Sequence, residues 1–547
     1  MVILVQHLNA LESAGLVRLA HTLPELEYLF QHALIQDAAY SSLVKQDRRL
    51  LHQTVAESLE RMYPDRVEEL AAVLAQHFDA AGDAVRAVKY LTLAGQDAAR
   101  RYANPEALAL FTRALALSDD APPETAMHVL EDRGQVYEFL SEYDPALTDY
   151  EKALALAQQS GLVRDECRIM SRMAWLYWLS GKGEQALQTA RAAESTARTL
   201  NDHAVALRAF MVVGLVAQAE GRLSEAYPRM RQSLSASRAT REHALEGESL
   251  FYLGIEDNFM GRFGRASAFA RKARDIKRSL GDRGGEMLSL YLLGRAEGGR
   301  GNYDVALEAL EAGFAVAEET HNPFGRAMYA NQRAWLSAEL GDWEKAYELD
   351  RAGLEVARAA PIRPPEISTL LNLVLDCTIL NRLDEADEYL LALQKWMGRP
   401  EFGFHGWRWQ TRETDARARL HMARGQYPDA SAVVTDLLER ASRTESRKYL
   451  ARGLWLRGEI HYTLSAIEMV EADWAAARDL ADAMRNLPIS VQVRRSLMRM
   501  YLDAGKGGAA NRMRVEIDAL IADLDRRLRH PDLRRSFDRG LARETNK

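Results

Sequence analysis

The residues that could carry chemistry come early: His32 in FQHALIQDAAY, His52 in QDRRLLHQTVAESLE and His77 in LAQHFDAAGD. A metal site on a helix needs ligands at i and i+3 or i+4, or an HExxH pattern, because only that spacing aims two side chains at one ion. His32, His52 and His77 lack it, and Asp37 follows His32 by five positions. Nucleophilic hydrolysis has no GxSxG elbow to start from. A phosphate-binding loop needs GxxxxGK followed by Ser or Thr, so that backbone amides can approach phosphate and a lysine can neutralise it. The only Gly-Lys pairs, Gly181-Lys182 and Gly505-Lys506, are each followed by glycine and fall in turns. The histidines therefore read as packing and hydrogen-bonding residues. No catalytic, metal-ligating or cofactor-binding residue is assigned, no cofactor is expected, and the chain reads as something other than an enzyme.

Bulk properties agree. The chain has 547 residues, more than one hydrophobic core usually organises, so several domains or a repeat array is expected. With 47% hydrophobic and 27% charged residues the composition is globular, and a net charge of -7 gives no global attraction to nucleic acid or an anionic membrane. The arginine-rich C-terminal run DLDRRLRHPDLRRSFDRGLAR is interrupted by aspartates and reads as a solvated helix face. Two distant cysteines, Cys167 and Cys377, exclude a disulfide framework, and no window approaches the roughly 18 apolar residues of a membrane span. A cytoplasmic protein is expected, with neither nucleic acid nor membrane among its partners.

The elements that would position any site are helices. Apolar residues recur at helical spacing nearly end to end, broken by Gly-Asp, Gly-Arg, Gly-Asn and Gly-Lys turns. Six turn segments, SGKGEQA, EGRLSEA, MGRFGRA, RGNYDVA, LGDWEKA and LNRLDEA, end in alanine. Ala146, Ala186, Ala226, Ala266, Ala306, Ala346 and Ala386 follow one another at intervals of 40 residues. Ala107 and Ala430 extend the series at intervals of 39 and 44. Twelve residues before each stands a small or apolar residue: Gly95, Gly134, Ala174, Gly214, Gly254, Gly294, Ala334, Val374 and Ala418. Two antiparallel helices packed roughly 8–10 Å apart need small side chains where their backbones come nearest. Each unit is thus one helical hairpin, with these residues at its crossing.

The segment GQVYEFLSEYDPALTDYEKAL, residues 134–154, places Gly134, Tyr137, Ala146, Tyr150 and Ala153 in the order and spacing of a tetratricopeptide repeat, and the array resembles that family. The usual period is about 34 residues. The six additional ones fall between the second helix and the next unit, which predicts longer second helices or linkers and an altered pitch. The resemblance implies an all-α, right-handed solenoid with a concave groove built from the first helices. Counting the small residue of the first helix as position eight, the family points positions two, five, nine and twelve into that groove. Those positions are Arg168, Ser171, Trp175, Trp178, Arg208, Met211, Gln218, Phe251, Asn258, Tyr291, Arg295, Asn331 and Trp335. Aromatics and arginines prevail among them, the residue types enriched at binding hot spots.

The N-terminal segment differs. LNALESAGLVRL, residues 8–19, reads as a helix stopped by Gly15 and then a strand, followed by a turn through Pro24 and a second strand in EYLF. That order is the tail of a winged helix. Residues 27–60 and 74–117 resemble segments of bacterial signal-transduction ATPases of the STAND class, especially those linked to adenylate or guanylate cyclase domains. In that class an ATPase module precedes a winged helix and a repeat array, so the resemblance implies an upstream ATPase or cyclase module outside this sequence. The expected domains are a partial winged helix with connecting helices (1–66), a repeat array (67–448), and degenerate repeats with a helical cap (449–547). The expected function is a non-catalytic protein-, peptide- or small-ligand-sensing module of a STAND-type regulator. The alternative is a stand-alone scaffold that assembles partner proteins.

Overall fold

The structure is a computed structural model that describes residues 2–21, 27–200, 202–359, 363–397, 406–466 and 469–545. The chain divides into two compact units, one ending at Val136 and one beginning at Tyr137.

The first unit opens with α1 (Val2–Ser13), β1 (Val17–His21) and β2 (Glu27–Phe30). The strands pair antiparallel in the register Val17↔Phe30, Arg18↔Leu29 and Leu19↔Tyr28, with an irregularity before His21↔Glu27. Helix, strand, strand is the order expected from the sequence, and Gly15 ends the helix with a φ of 68°, which side chains disfavour. The turn expected through Pro24 lies outside the described residues. Helices α2 (Ala33–Ser42), α3 (Lys45–Met62), α4 (Ala71–Ala81), α5 (Ala84–Arg100) and α6 (Asn104–Ala116) follow. Gly95 of α5 crosses α6 at Phe111, whose ring would lie 2.6 Å from any Cβ added to the glycine.

Beyond that unit the hairpins become regular. Helix α7 (Pro123–Phe139) leads into α8 (Tyr143–Gln159), and the pairs continue as α9 (Val163–Leu179) with α10 (Gly183–Leu200) and α11 (His203–Ala219) with α12 (Leu223–Thr240). Next come α13 (His243–Phe259) with α14 (Phe263–Ser279) and α15 (Arg283–Gly299) with α16 (Tyr303–Glu319). In the following unit the first helix is interrupted at Asn331, giving α17 (Pro323–Ala330) and α18 (Gln332–Glu339), and its partner is α19 (Trp343–Ala359). The array goes on through α20 (Pro364–Ile379) with α21 (Leu383–Gln394), α22 (Gly406–Ala423) with α23 (Tyr427–Arg443) and α24 (Arg447–Thr463) with α25 (Val470–Met484). It closes with α26 (Leu487–Asp503), α27 (Gly507–Arg527) and α28 (Pro531–Thr545). The fold is the expected TPR-like α-solenoid, and hairpin geometry persists well past residue 448.

The alanine register holds throughout. Ala146, Ala186, Ala226, Ala266, Ala306, Ala346 and Ala386 have no solvent exposure, and neither do Ala174 and Ala334 on the facing helices. At Gly294 the approach is tightest, since an added Cβ would lie 2.5 Å from Leu310 Cγ and 3.1 Å from the Ala306 carbonyl oxygen. Gly254 meets the carbonyl oxygen of Ala266, and Gly214 that of Ala226, in the same way.

The longer period comes from the second helices, as expected, and equally from the first. From α8 to α17 the linkers between units are short, while first and second helices alike reach 17 residues in α7, α8, α13, α14, α15 and α16. Each such helix is about 26 Å long at 1.5 Å per residue. Helix ends close the same way within and between units. In the first kind of turn Gly261 adopts φ 72° and Arg262 N donates to Asp257 O; in the second Gly281 adopts φ 70° and Asp282 N donates to Lys277 O. Both are Schellman closures, which satisfy carbonyls left over at the helix end.

Successive turns of the solenoid touch. Asn322 Nδ2 donates to Phe139 O at 3.0 Å, Ser446 Oγ to Phe259 O at 3.1 Å, and Asn486 Nδ2 to Gly299 O at 3.0 Å. In each case the cap of a first helix meets the C-terminal end of the first helix five units earlier. Opposite ends of two helix dipoles therefore face each other, a favourable arrangement. The arginine-rich C-terminus joins this closure more than its reading as a solvated face implies. Arg527 Nη1 donates to Gly301 O and Arg543 Nη2 to Ile379 O, while Leu533 and Phe537 of α28 enter the apolar cluster of Tyr303, Leu310, Trp335 and Leu336.

Candidate ligand-binding interior

Because the turns close on one another, first helices of distant units face a shared interior. Lys448 of α24 reaches Glu339 of α18, Nζ to Oε1 at 3.1 Å, and the guanidinium of Arg408 in α22 lies 3.7 Å above the Phe259 ring of α13. Such contacts need several units to converge on one axis, which sequence-neighbour packing alone would not produce.

The centre of this interior is Trp335. An added Cβ on Gly298 would lie 2.5 Å from its Cη2, so the missing side chain at position twelve of one unit makes room for the indole of the next. The ring then supports Arg295, whose guanidinium carbon sits 3.7 Å from the ring centroid, and its Nε1 donates to Glu339 Oε1 at 2.9 Å. Arg295 is half-buried, yet desolvation pushes its guanidinium below the ordinary range.

Around this stack stand further cations. Arg412 Nη2 donates to Asn372 Oδ1 at 2.8 Å, and Asp415 Oδ2 accepts from Arg452 Nη1 at 2.9 Å while its Oδ1 lies 3.3 Å from Arg419 Nε. Asp415 is held below the usual carboxylate range, with Arg419 and Arg452 outweighing the burial that opposes ionisation. Glu339 is likewise held low by Lys448 and Arg452 against its burial. Burial pushes the Lys448 ammonium down to about 8, and pushes Arg408 well below its ordinary range. Glu256, 1% exposed, is raised to about 8 by burial and by the neighbouring Asp257.

An aromatic cluster occupies the earlier part of the interior. Trp175 and Trp178 have ring centroids 5.0 Å apart, and Tyr252 meets both edge-on at 5.5 and 5.6 Å. Arg208 sits 6.0 Å above the Trp175 ring and pairs with Glu248 at 3.1 Å, and Arg168 pairs with Asp165 at 2.6 Å.

The thirteen groove positions expected from the sequence separate by burial. Arg168, Arg208, Phe251, Asn258, Tyr291 and Arg295 are half-buried, whereas Trp175 and Trp335 are each 9% exposed. Ser171, Trp178, Met211, Gln218 and Asn331 are almost or fully enclosed. Met211 at 0% exposure serves as core, and Asn331 spends its amide on Thr369 Oγ1 at 3.1 Å. Sequence reasoning missed Arg408, Arg412, Asp415, Arg419, Lys448 and Arg452. Counting Ala418, already in the register, as position eight places Arg412 at two, Asp415 at five and Arg419 at nine, and counting Gly458, beyond the alanine series, places Arg452 at two. Arg408 and Lys448 lie one turn earlier on the same helices, α22 and α24.

The histidines of the first unit divide. His52 Nδ1 and His77 Nδ1 are 2.8 Å apart and Tyr40 Oη lies 3.0 Å from His52 Nε2, while His32 precedes α2 without a side-chain capping bond. Among the described residues no group of three or more His, Cys, Asp or Glu is placed to hold a metal ion, and no helix is long and apolar enough to cross a membrane. Both cysteines are buried, with thiols pushed up by burial to about 11 at Cys167 and about 12 at Cys377. Neither is poised as a thiolate.

Comparison with known proteins identifies a tetratricopeptide repeat over residues 128–160. No curated protein matches the chain. Among solved structures it is similar to a Rap protein complexed with competence and sporulation factor, at 14% identity and a TM-score of 0.49, over 67% of this chain and 100% of that one. The apo form of the quorum sensor NprR from B. thuringiensis gives 15% identity and a TM-score of 0.39, over 63% of this chain and 98% of that one. A STAND protein with a tetratricopeptide repeat sensor from Pyrococcus horikoshii gives 14% identity and a TM-score of 0.41, over 71% of this chain and 58% of that one. The chain thus contains a tetratricopeptide repeat within a longer array of hairpins built on the same crossing.

Proposed function

We propose that this chain is a non-catalytic binding module whose solenoid interior receives a protein segment, a peptide or a small ligand. The observation that carries the reading is the Arg295–Trp335 stack, solvent-touching yet enclosed, with Tyr291 and Arg412 beside it. Aromatic faces and planar guanidiniums in a desolvated setting form strong contacts at little entropic cost. Occupation would shift the array between two arrangements, which requires different affinity for the two states.

The finer reading is that the module senses for a STAND-type regulator, supported by the sequence resemblance of residues 27–60 and 74–117 and by the helix and two strands that precede them. An in-frame ATPase coding region upstream would support the regulator over the scaffold alternative. For binding itself, Trp175→Ala combined with Trp335→Ala should abolish recovery of a partner that the wild-type chain recovers from its source cells. Unchanged recovery, with the helical content of the variant intact, refutes interior binding.

A further inference from the structure

We propose that the later half of the interior binds a compact polyanion, a ligand carrying two or more phosphate or carboxylate groups, between Arg295, Arg408, Arg412, Lys448 and Arg452. The proposal rests on the binding-module reading and assigns the chemistry of what that interior takes.

Charge balance is the first argument. Arg295, Arg408, Arg412, Arg419, Lys448 and Arg452 come from α15, α22 and α24 around the carboxylates Glu339 and Asp415, and burial disfavours ionisation of Glu256, which faces Arg408, and of Asp350, which faces Arg412. Glu339 is engaged by Lys448 and Trp335, and Asp415 by Arg419 and Arg452. Arg295 meets an aromatic face and Arg412 a neutral amide, and neither forms an ion pair among the described residues. Arg295 and Arg408 both feel the charge of Arg412, and Lys448 feels that of Arg295 and Arg452. Concentrating like charges where water is scarce costs folding energy unless a counter-charge is supplied. A bound polyanion supplies it.

Geometry is the second argument. Arg295 stacks on Trp335, and Glu339 Oε1 accepts from both Trp335 Nε1 and Lys448 Nζ, so groups from α15, α18 and α24 meet at one place. Arg408 is 5% exposed and packed on Phe259, while Arg295 and Arg412 keep solvent contact on the approach. Planar guanidiniums fixed by stacking are suited to bidentate contact with phosphate or carboxylate.

The test is calorimetric titration of the full chain with sodium tripolyphosphate and, separately, with citrate at matched ionic strength. Saturable binding of either is expected, and which one binds separates a phosphate ligand from a carboxylate ligand. Arg295→Gln and Arg412→Gln should each weaken it about tenfold or more, the loss of a charge-assisted hydrogen bond. Arg412→Lys should weaken it less, and Arg333→Gln, on an exposed arginine paired with Glu311, should leave it unchanged. No binding of either anion by the wild-type chain overturns the proposal, as does unchanged binding by the two glutamine variants. If Arg412→Gln loses its helical signal, Arg412→Lys and Arg295→Gln decide the matter. Loss of partner recovery in the tryptophan variants without any anion binding would remove this inference and leave the binding-module reading standing.

Discussion

Asn486→Ala is the sharpest probe of how this solenoid closes. The side chain is 1% exposed and does two jobs at once: Oδ1 accepts from Ile489 N at 3.3 Å, capping α26, and Nδ2 donates to Gly299 O at 3.0 Å across the turn. Losing a cap costs about 1 kcal/mol, and leaving a buried carbonyl without its donor costs about 1–3 kcal/mol. Alanine should therefore destabilise this contact by roughly 2–4 kcal/mol, the two losses added. Asn486→Asp separates them, because a carboxylate keeps the capping acceptor and has no donor for Gly299. Moreover it places negative charge against the negative end of the α15 dipole. Repeat arrays need not unfold in one step, so hydrogen exchange is a better readout than a single melting temperature. Protection should fall in the last turn of α15 in both variants, and in the first turn of α26 in Asn486→Ala alone. Wild-type protection at α15 in Asn486→Asp would refute the claim that the cross-turn bond, as distinct from the cap, joins successive turns.

Further expectations follow from the same packing and charges. Ala266→Leu forces four-carbon bulk into the crossing with Gly254 and should destabilise by about 1–3 kcal/mol in urea unfolding; a silent substitution would break the alanine register. Glu256 has its folded-state pKa raised to about 8, so its contribution to stability is fully present below the ordinary carboxyl range and is lost as pH rises through about 8. Glu256→Gln should therefore flatten the decline of the unfolding free energy, measured in urea, between about pH 4.5 and 8, which has a limiting slope of about 1.4 kcal/mol per pH unit. Lys448→Met alone leaves Glu339 buried with its cation gone and should cost about 3–5 kcal/mol, whereas adding Glu339→Gln should restore much of that; additive losses would show that the pair is uncoupled.

Much of this could be read in the chain as written. The 40-residue alanine series specified hairpins and their crossing, and all seven alanines of that series, Ala146 to Ala386, are buried where that reading puts them. Helix, strand, strand at the N-terminus was also legible, from a glycine stop and two short apolar runs. The site was legible only in part. Trp335 and Arg295 fell on inward positions and do meet, but Met211 and Trp178, at other positions counted as inward, are packed away. Position in a repeat tells which side of a helix a residue occupies, and the next turn of the solenoid determines whether that side is open.

The sequence by itself therefore determined the unit: small residues recur because two helix backbones must approach closely, and that requirement is local enough to show as spacing. Tertiary structure alone decided what lies inside. Glu339 and Lys448, or Phe259 and Arg408, stand far apart in the chain and meet because helix ends dock five units on. The small rotation between neighbouring hairpins accumulates into that closure, and no single unit encodes it.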